Sequence, residues 1–378
     1  MFARALALEL GARAMLKRGA LGRGGARGAW GGWRCARACG AMRGARGATA
    51  ATVMVAVTSA SFPRASRPRS TTTRMASGRT KEGTRVGAAS DAASSVYDAP
   101  EIYDVAFGFR DFDKEIDFLE TLVREYGALR GGGGLTSALE LGAGPAWHSL
   151  ACARRGIQAV ALERNPAMRA YANDKKAAVE ASGVKLNSMR VVDGDMRHIE
   201  LPHMMAPEGG FDCAVMLLGT VAHLLTYDDA MSCMTSVRKH LKPGGLFVVE
   251  LEHPWDLFSG DLSEGVGDAW DRVDEERGVK VLVEWGRDGD EFDIETQVYE
   301  RTVSFNLIEL DGNENTKPKV LKTVEEVVPC KIYTAPEFKA LARAASLAHV
   351  GTFGDMSTTM ALDDEEAHNM VLVFRRDD

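Results

Sequence analysis

The chain is poor in several features that would have narrowed its class early. It has 378 residues and only six cysteines, at positions 35, 39, 152, 213, 233 and 330, with no Cys-x-x-Cys pair. That excludes a disulfide scaffold and a zinc ribbon, and leaves buried free thiols as the plain reading. Long apolar runs are missing too. The leader's one apolar piece, "ATAATVMVAVTSA", falls short of the roughly 18 residues that a membrane span needs, and no other stretch reaches it. Acid is almost absent from the start: residues 1–81 hold 16 Lys and Arg but one acid, Glu9. An acid-poor, Arg-rich leader ending in Ser and Thr reads as an organelle transit peptide, taken as residues 1–90. The competing reading is a basic arm for nucleic acid. Ala, Gly and Trp dominate rather than Lys blocks, which favours import. The Ser and Thr tilt the destination to the chloroplast, with the mitochondrion as the alternative. Beyond Lys81 it is positive charge that is scarce, with 30 basic against 52 acidic residues. A body at net -22 repels phosphate backbones and argues against a nucleic-acid partner.

What remains, about 290 residues, suffices for one large core with an appended subdomain. "DFDKEIDFLETLVREYG" places Ile116, Leu119, Val123 and Tyr126 at helical spacing, and Gly131 to Gly134 stop that helix. Short apolar strands then alternate with helices: "SALEL", "IQAVALE", "SMRVVDGD", "FDCAVMLLG" and "GGLFVVELE" are separated by "AWHSLACARRG", "PAMRAYANDKKAAVEASG" and "YDDAMSCMTSVRKHL". Alternation of this kind predicts an α/β fold, a doubly wound parallel sheet with helices on both faces. From about Gly278 to Tyr333 the pattern becomes polar-apolar alternation with Asp-Gly turns at 288–289 and 311–312, which predicts an antiparallel β insertion with one wet face. "TAPEFKALARAA" starts a last helix with a Thr334/Glu337 capping box, and two strands follow. The expected core is about 111–252 and 334–378, with a lid at about 253–333, all within residues 91–378.

The most telling absence lies in "LELGAGPAW". Gly142 and Gly144 allow a sharp turn and close approach of a ligand where the first strand ends, and the next helix aims its free N–H groups there. A dinucleotide fingerprint needs a third glycine, but Trp147 stands in its place. A phosphate loop needs Lys followed by Ser or Thr, also absent. The ligand is therefore smaller than a dinucleotide. Glu163, 21 residues after Gly142, ends the second strand, where a carboxylate can accept from two ribose hydroxyls. "DGDMRH" ends the third strand, and two readings stand for it. Either Asp195 accepts from an adenine amino group while Met196 faces the ring, or the stretch is a turn with a core Met.

With "LELGAGPAW", "LERNPAM", "GDMRH" and "LKPGGLFVVEL" in this order and spacing, residues 97–376 resemble the class I S-adenosylmethionine-dependent methyltransferases. The resemblance implies a Rossmann-like seven-stranded sheet whose last strand is antiparallel, with S-adenosyl-L-methionine as cofactor. It further implies that Glu140, Gly142, Ala143, Gly144, Glu163, Arg164, Met168, Asp195, Met196, Leu217 and Leu218 hold that cofactor. Glu140 and Ala143 depart from the family's usual Asp and Cys or Gly. "YDAPEIYDVAFGFRDFDKEIDFL", "FDCAVMLLGTVAHLL" and the insertion resemble the cap, fourth-strand segment and roof of small-molecule N-methyltransferases acting on amino sugars and glycine-type amines.

Methyl transfer from a sulfonium is an in-line displacement, so the protein's task is alignment, with no metal and no covalent nucleophile required. Ser149, in "WHSL", lies in no nucleophile elbow. His223 is read as base or orienter of the acceptor, or alternatively as a His packed under the lid. Tyr103 and Tyr97 are read as closing over the methyl group, or as sheet packing. Glu252 and His253 are further candidates to touch substrate; His253 with Asp195 lacks the remaining ligands of a metal site, and His198 and His203 read as surface residues. The motif that follows the fourth strand in enzymes methylating nucleobase or glutamine nitrogens is replaced by "LLGTVAHL". Expected partners are a small-molecule acceptor and, through exposed strands of the insertion, a second copy of the chain. Competing classes are an NAD(P)-dependent oxidoreductase, against which Trp147 counts, and a non-catalytic or protein-directed module.

Overall fold

The computed structural model describes residues 95–201, 207–255, 268–310 and 319–378. The leader, His203 and the Asp311-Gly312 turn lie outside the described residues.

Seven strands form one sheet in the order β11-β12-β5-β4-β1-β2-β3. They are β1 (Ser137–Leu141), β2 (Gln158–Glu163), β3 (Met189–Asp193), β4 (Phe211–Met216), β5 (Leu241–Glu252), β11 (Ala348–Gly354) and β12 (Asn369–Arg375). The first five run parallel, while β12 is antiparallel to both β5 and β11. The doubly wound sheet and its reversed last strand are as expected from the sequence. β1, β2 and β4 show no polar alternation because both of their faces are covered. Leu139, Val160, Met216 and Val249 meet α5 (Tyr227–His240) and α6 (Ala335–Ala344) on one side. Ala138, Ala159, Val215 and Val248 meet α2 (Phe112–Tyr126) and α3 (Trp147–Arg154) on the other. α4 (Pro166–Ala181) closes the β2–β3 end. Winding reverses between β1 and β4, which places the ligand cleft beyond their carboxyl ends.

The second sheet has the order β10-β9-β7-β6, with β8 pairing β9, and is antiparallel throughout. It comprises β6 (Asp268–Asp274), β7 (Val279–Trp285), β8 (Phe292–Asp293), β9 (Val298–Glu309) and β10 (Val320–Lys331), all within the expected lid segment. The sequence reading began this sheet at Gly278 and so missed β6, whose "DAWDRVD" carries four charges in seven residues and only a weak apolar face. β5 also begins earlier than expected. Leu241 pairs Phe211, the Pro-Gly-Gly turn interrupts the ladder, and pairing resumes at Leu246. The capping box of α6 forms as predicted. All four cysteines among the described residues are free and buried.

Before α2, a 3-10 turn (Val96–Asp98) and α1 (Pro100–Phe107) form the cap. Asp104 of α1 fixes it to the sheet layer. Its carboxylate accepts from Trp147 Nε1 at 2.6 Å, Tyr171 OH at 2.8 Å and Lys175 Nζ at 2.7 Å.

At the opposite end of the sheet, Asp212 ties three strands together. Buried, it accepts from the backbone N–H groups of Thr136 and Ser137 at 2.8 and 2.9 Å and pairs Lys242 Nζ at 2.8 Å. Burial pushes its pKa up, but Lys242 and Thr136 outweigh that and hold it below the usual carboxylate value. Asp212→Ala leaves two N–H groups and an ammonium without their acceptor, so urea unfolding is expected to show a loss of about 3 kcal/mol.

Candidate active site

The cleft is built on a left-handed crook after β1. Gly142, Gly144 and Ala146 have φ of 58°, 51° and 58°. Ala143 N–H donates to Leu162 O at 3.1 Å, which ties the crook to β2. Glycine at 142 is required twice, by its φ and because a Cβ there would stand 2.6 Å from Thr220 Cγ2. A Cβ at Gly144 would meet nothing within 4 Å, so that face of the crook is open. Glu163 stands at its mouth: Oε2 accepts from Gly144 N–H at 2.8 Å and Oε1 from Asn165 N–H at 2.7 Å. One acceptor position on each oxygen remains available.

The other predicted residues divide between those that face this cleft and those that act behind it. Ala143 is buried in the crook, Met168 is buried at the start of α4, and Leu217 is buried after β4. Leu218 has φ 54°, a strained value for Leu, and its N–H donates to Glu250 Oε2 at 2.9 Å. Arg164 is exposed. Met196 packs against the core, and Asp195 is held by Arg197, which donates from Nη2 at 2.6 Å and from its backbone N–H at 2.9 Å. Glu140 lies behind the crook: Oε1 faces His148 Nδ1 at 3.0 Å, and Oε2 accepts from Ser149 N–H and Oγ at 2.8 and 2.6 Å.

On the acceptor side, Tyr97 OH and His223 Nε2 are 2.9 Å apart. Burial, and then the charge of Arg164, lower the His223 pKa despite Glu326, so the ring is neutral at pH 7. Burial raises the pKa of Tyr97 well above its usual value, so it stays a phenol. Tyr97 is set in place from the roof, because Glu326 of β10 accepts from Ser95 Oγ at 2.8 Å and Val96 N–H at 2.9 Å. Tyr103 lies 5.8 Å from Tyr97, stacks on Trp147 at 6.0 Å, and meets Phe305 of β9 at 6.3 Å. Trp147 in turn stacks on Phe112 at 5.2 Å. The residue that replaces a third glycine is therefore the middle of an aromatic stack that joins crook, cap and roof.

Glu252 pairs Arg301 of β9 at 2.5 Å. Both nitrogens of His253 are occupied, by Leu362 O at 2.7 Å and Trp255 N–H at 3.2 Å. His198 is exposed, as expected. Among the described residues, no three His, Cys, Asp or Glu side chains are grouped to hold a metal. Nor is any helix there long and apolar enough to cross a membrane.

Five residues escaped the sequence reading: Asp104, Arg110, Glu115, His148 and Glu250. Two left a trace. Glu115 falls on the apolar stripe of α2, while Glu250, like the expected Glu140, sits inside an apolar strand run. All three are buried.

Residues 139–249 match the family model described as a methyltransferase domain. No curated protein matches the sequence. Solved structures do. An S-adenosylmethionine-dependent methyltransferase from Clostridium acetobutylicum has 17% identity and a TM-score of 0.53, covering 73% of this chain and 96% of its own. CalS10 from Micromonospora echinaspora, an amino pentose methyltransferase, has 20% identity and a TM-score of 0.50, covering 73% and 96%. KedS8, a sugar N-methyltransferase from Streptoalloteichus, has 21% identity and a TM-score of 0.50, covering 80% and 100%. At these identities the likeness is one of fold. The class is thus defined by two findings: the chain has the fold of these S-adenosylmethionine-dependent methyltransferases, and its residues 139–249 match a methyltransferase domain.

The contact behind Gly142 can be tested without a ligand. Gly142→Ala should cost about 1–3 kcal/mol in thermal or urea unfolding, from φ strain plus the clash with Thr220. Thr220→Ser removes the offending methyl. The double variant should recover the clash component and leave the φ component, a non-additivity that a double-mutant cycle measures.

Proposed function

We propose that this protein transfers a methyl group from S-adenosyl-L-methionine to the nitrogen of a small-molecule amine. The observation that carries the reading is the crook at 142–146 opening beside Glu163, with the Tyr97–His223 pair completing the cleft. The residues fit the donor. Gly144 leaves space in front of the backbone, Glu163 keeps acceptor capacity for two ribose hydroxyls, and Leu217 and Met168 provide apolar walls. When bound, the donor supplies an electrophilic methyl on a sulfonium.

Attack by a neutral amine leaves a methylated ammonium, which must shed one proton. His223 is neutral and Tyr97 is protonated, so Tyr97 passes its proton to His223 Nε2 as it receives the acceptor's. Tyr103 and Trp147 shield the reacting atoms from water, and Phe305 brings the roof down onto them. The rate enhancement comes chiefly from holding the amine in line with the methyl group. The amino-sugar enzymes of the same fold support an amine acceptor, and the net charge of -22 beyond Lys81 disfavours an anionic one. The open edges at β6 and β10 are where a second copy would pair.

Calorimetry should detect S-adenosylmethionine binding and no association with NADH. Glu163→Ala should weaken that binding about 10- to 100-fold, corresponding to loss of hydrogen bonds to a charged acceptor. An unchanged affinity would discard the proposed ribose site. With a panel of amino sugars and glycine-type amines as acceptors, His223→Ala should lower kcat by about 10²-fold, and Tyr97→Phe by less. Because the His223 pKa is lowered, the active neutral form accumulates as pH rises through a midpoint below 6.5. The acid limb of kcat/KM should therefore fall there and vanish in His223→Ala.

The leader is proposed to direct chloroplast import. Residues 1–90 fused to a fluorescent reporter should send it to plastids; accumulation in mitochondria would select the alternative, and a nuclear signal the basic-arm reading.

A further inference from the structure

A chain of buried charged groups runs behind the cleft and takes no part in the proton transfer above. Its centre is His148 of α3, which is 2% exposed. Nε2 faces Glu115 Oε2 at 2.6 Å and Nδ1 faces Glu140 Oε1 at 3.0 Å. From Glu115 the chain continues to Arg110, which donates from Nε to Glu115 and from Nη1 to both oxygens of Glu250 at 2.9 and 3.0 Å. Glu250 then accepts from the N–H of Leu218 at 2.9 Å. At the other end, Glu140 accepts from Ser149 N–H and Oγ at the start of α3. One continuous path thus joins the helix that follows the crook to the strained residue after β4, on the opposite wall of the same cleft.

The geometry determines the state of the ring. A neutral imidazole has a single N–H, whereas this one has a carboxylate oxygen against each nitrogen. With neither carboxyl protonated, the ring must carry both protons. Glu140 accepts from two donors on its other oxygen, and although burial pushes the Glu115 pKa up, Arg110 and His148 outweigh it and hold it below the usual value. Phe112 meets the ring at right angles with centroids 5.1 Å apart, and burial keeps the thiol of Cys152, one helical turn further along α3, neutral. Three carboxylates (Glu115, Glu140 and Glu250) then face two cations, Arg110 and His148. A neutral ring would leave three against one in a dry interior, which is far more costly.

We propose that His148 is a positioning residue: bridging Glu115 and Glu140 as an imidazolium, it locks the crook to α2 and, through Arg110 and Glu250, holds Leu218 on the facing wall of the cleft. Burial opposes charge on the ring, but Glu115 and Glu140 outweigh it and push its pKa to about 9. The folded-state value lies above the ordinary histidine value, so the lock is complete near neutrality and is lost as pH rises through about 9. The effect on donor affinity rests on the reading under Proposed function; the lock itself does not.

Two ligand-free measurements on the whole chain test it, with His148→Gln as the variant that keeps a polar group of similar size. Nitrogen-15 shifts of the imidazole, assigned by its loss in the variant, should show both ring nitrogens protonated at pH 7 and a midpoint near 9. Amide hydrogen exchange at Leu218 and Ser149 should be at least tenfold faster in His148→Gln, with the buried Val281 in β7 of the second sheet unchanged. Calorimetry should then show about tenfold weaker S-adenosylmethionine binding in the variant at pH 7, and a loss between pH 7 and 9.5 in the wild type that the variant lacks. A ring carrying one proton at pH 7, or unaltered exchange at Leu218, overturns the proposal. Wild-type chain that shows the shifts and exchange but binds no donor would overturn the proposed function instead and leave the lock standing.

Discussion

The structure depends on keeping a left-handed backbone in place at the end of β1. Three residues within five adopt positive φ there, and one of them is alanine. Such a crook persists only where its surroundings hold it firmly. Here the restraints come from every side: Leu162 O on Ala143, Glu163 on Gly144, Thr220 against Gly142, and Glu140 behind. The outcome is a concave stretch of backbone with no side chain in front of Gly144, next to a carboxylate that still has acceptor positions to offer. Those two properties are what a nucleoside with an amino-acid tail requires.

Around the crook the molecule uses aromatic area and buried charge for different purposes. The stack of Phe112, Trp147, Tyr103 and Phe305 covers the cleft, and rings suit that task because they bury a large area with few rotamers to fix. Asp104 then anchors the covering helix through three donors. The charged chain from Glu140 to Glu250 lies under the cleft and lends direction rather than area, since ionic hydrogen bonds tolerate little displacement.

How far the sequence could be read depended on whether a signal was local. The strands of the parallel sheet were legible because apolar runs without alternation mean burial on both faces. The α6 cap was legible because Thr334 and Glu337 are three residues apart. β6 was not, since its pairing with β7 is set by backbone register and its composition is that of a surface loop. Glu140 reads from the sequence as a cofactor contact, and in the folded chain its carboxylate faces His148 and accepts from Ser149. Asp195 was read as facing adenine or as part of a turn, and in the folded chain it is forked by Arg197.

The order of strands and helices, the crook, and the place of Glu163 at the end of β2 follow from residue types at fixed spacing, so the sequence by itself determined them. The partners of His148 did not follow, because Glu115 is 33 residues away from it, and Glu250 lies 140 residues from Arg110. Likewise Tyr97 is 126 residues from His223. Which buried charges meet, and hence which are ionised, depends on distances of a few ångströms between elements remote in the chain, and only the folded packing fixes those.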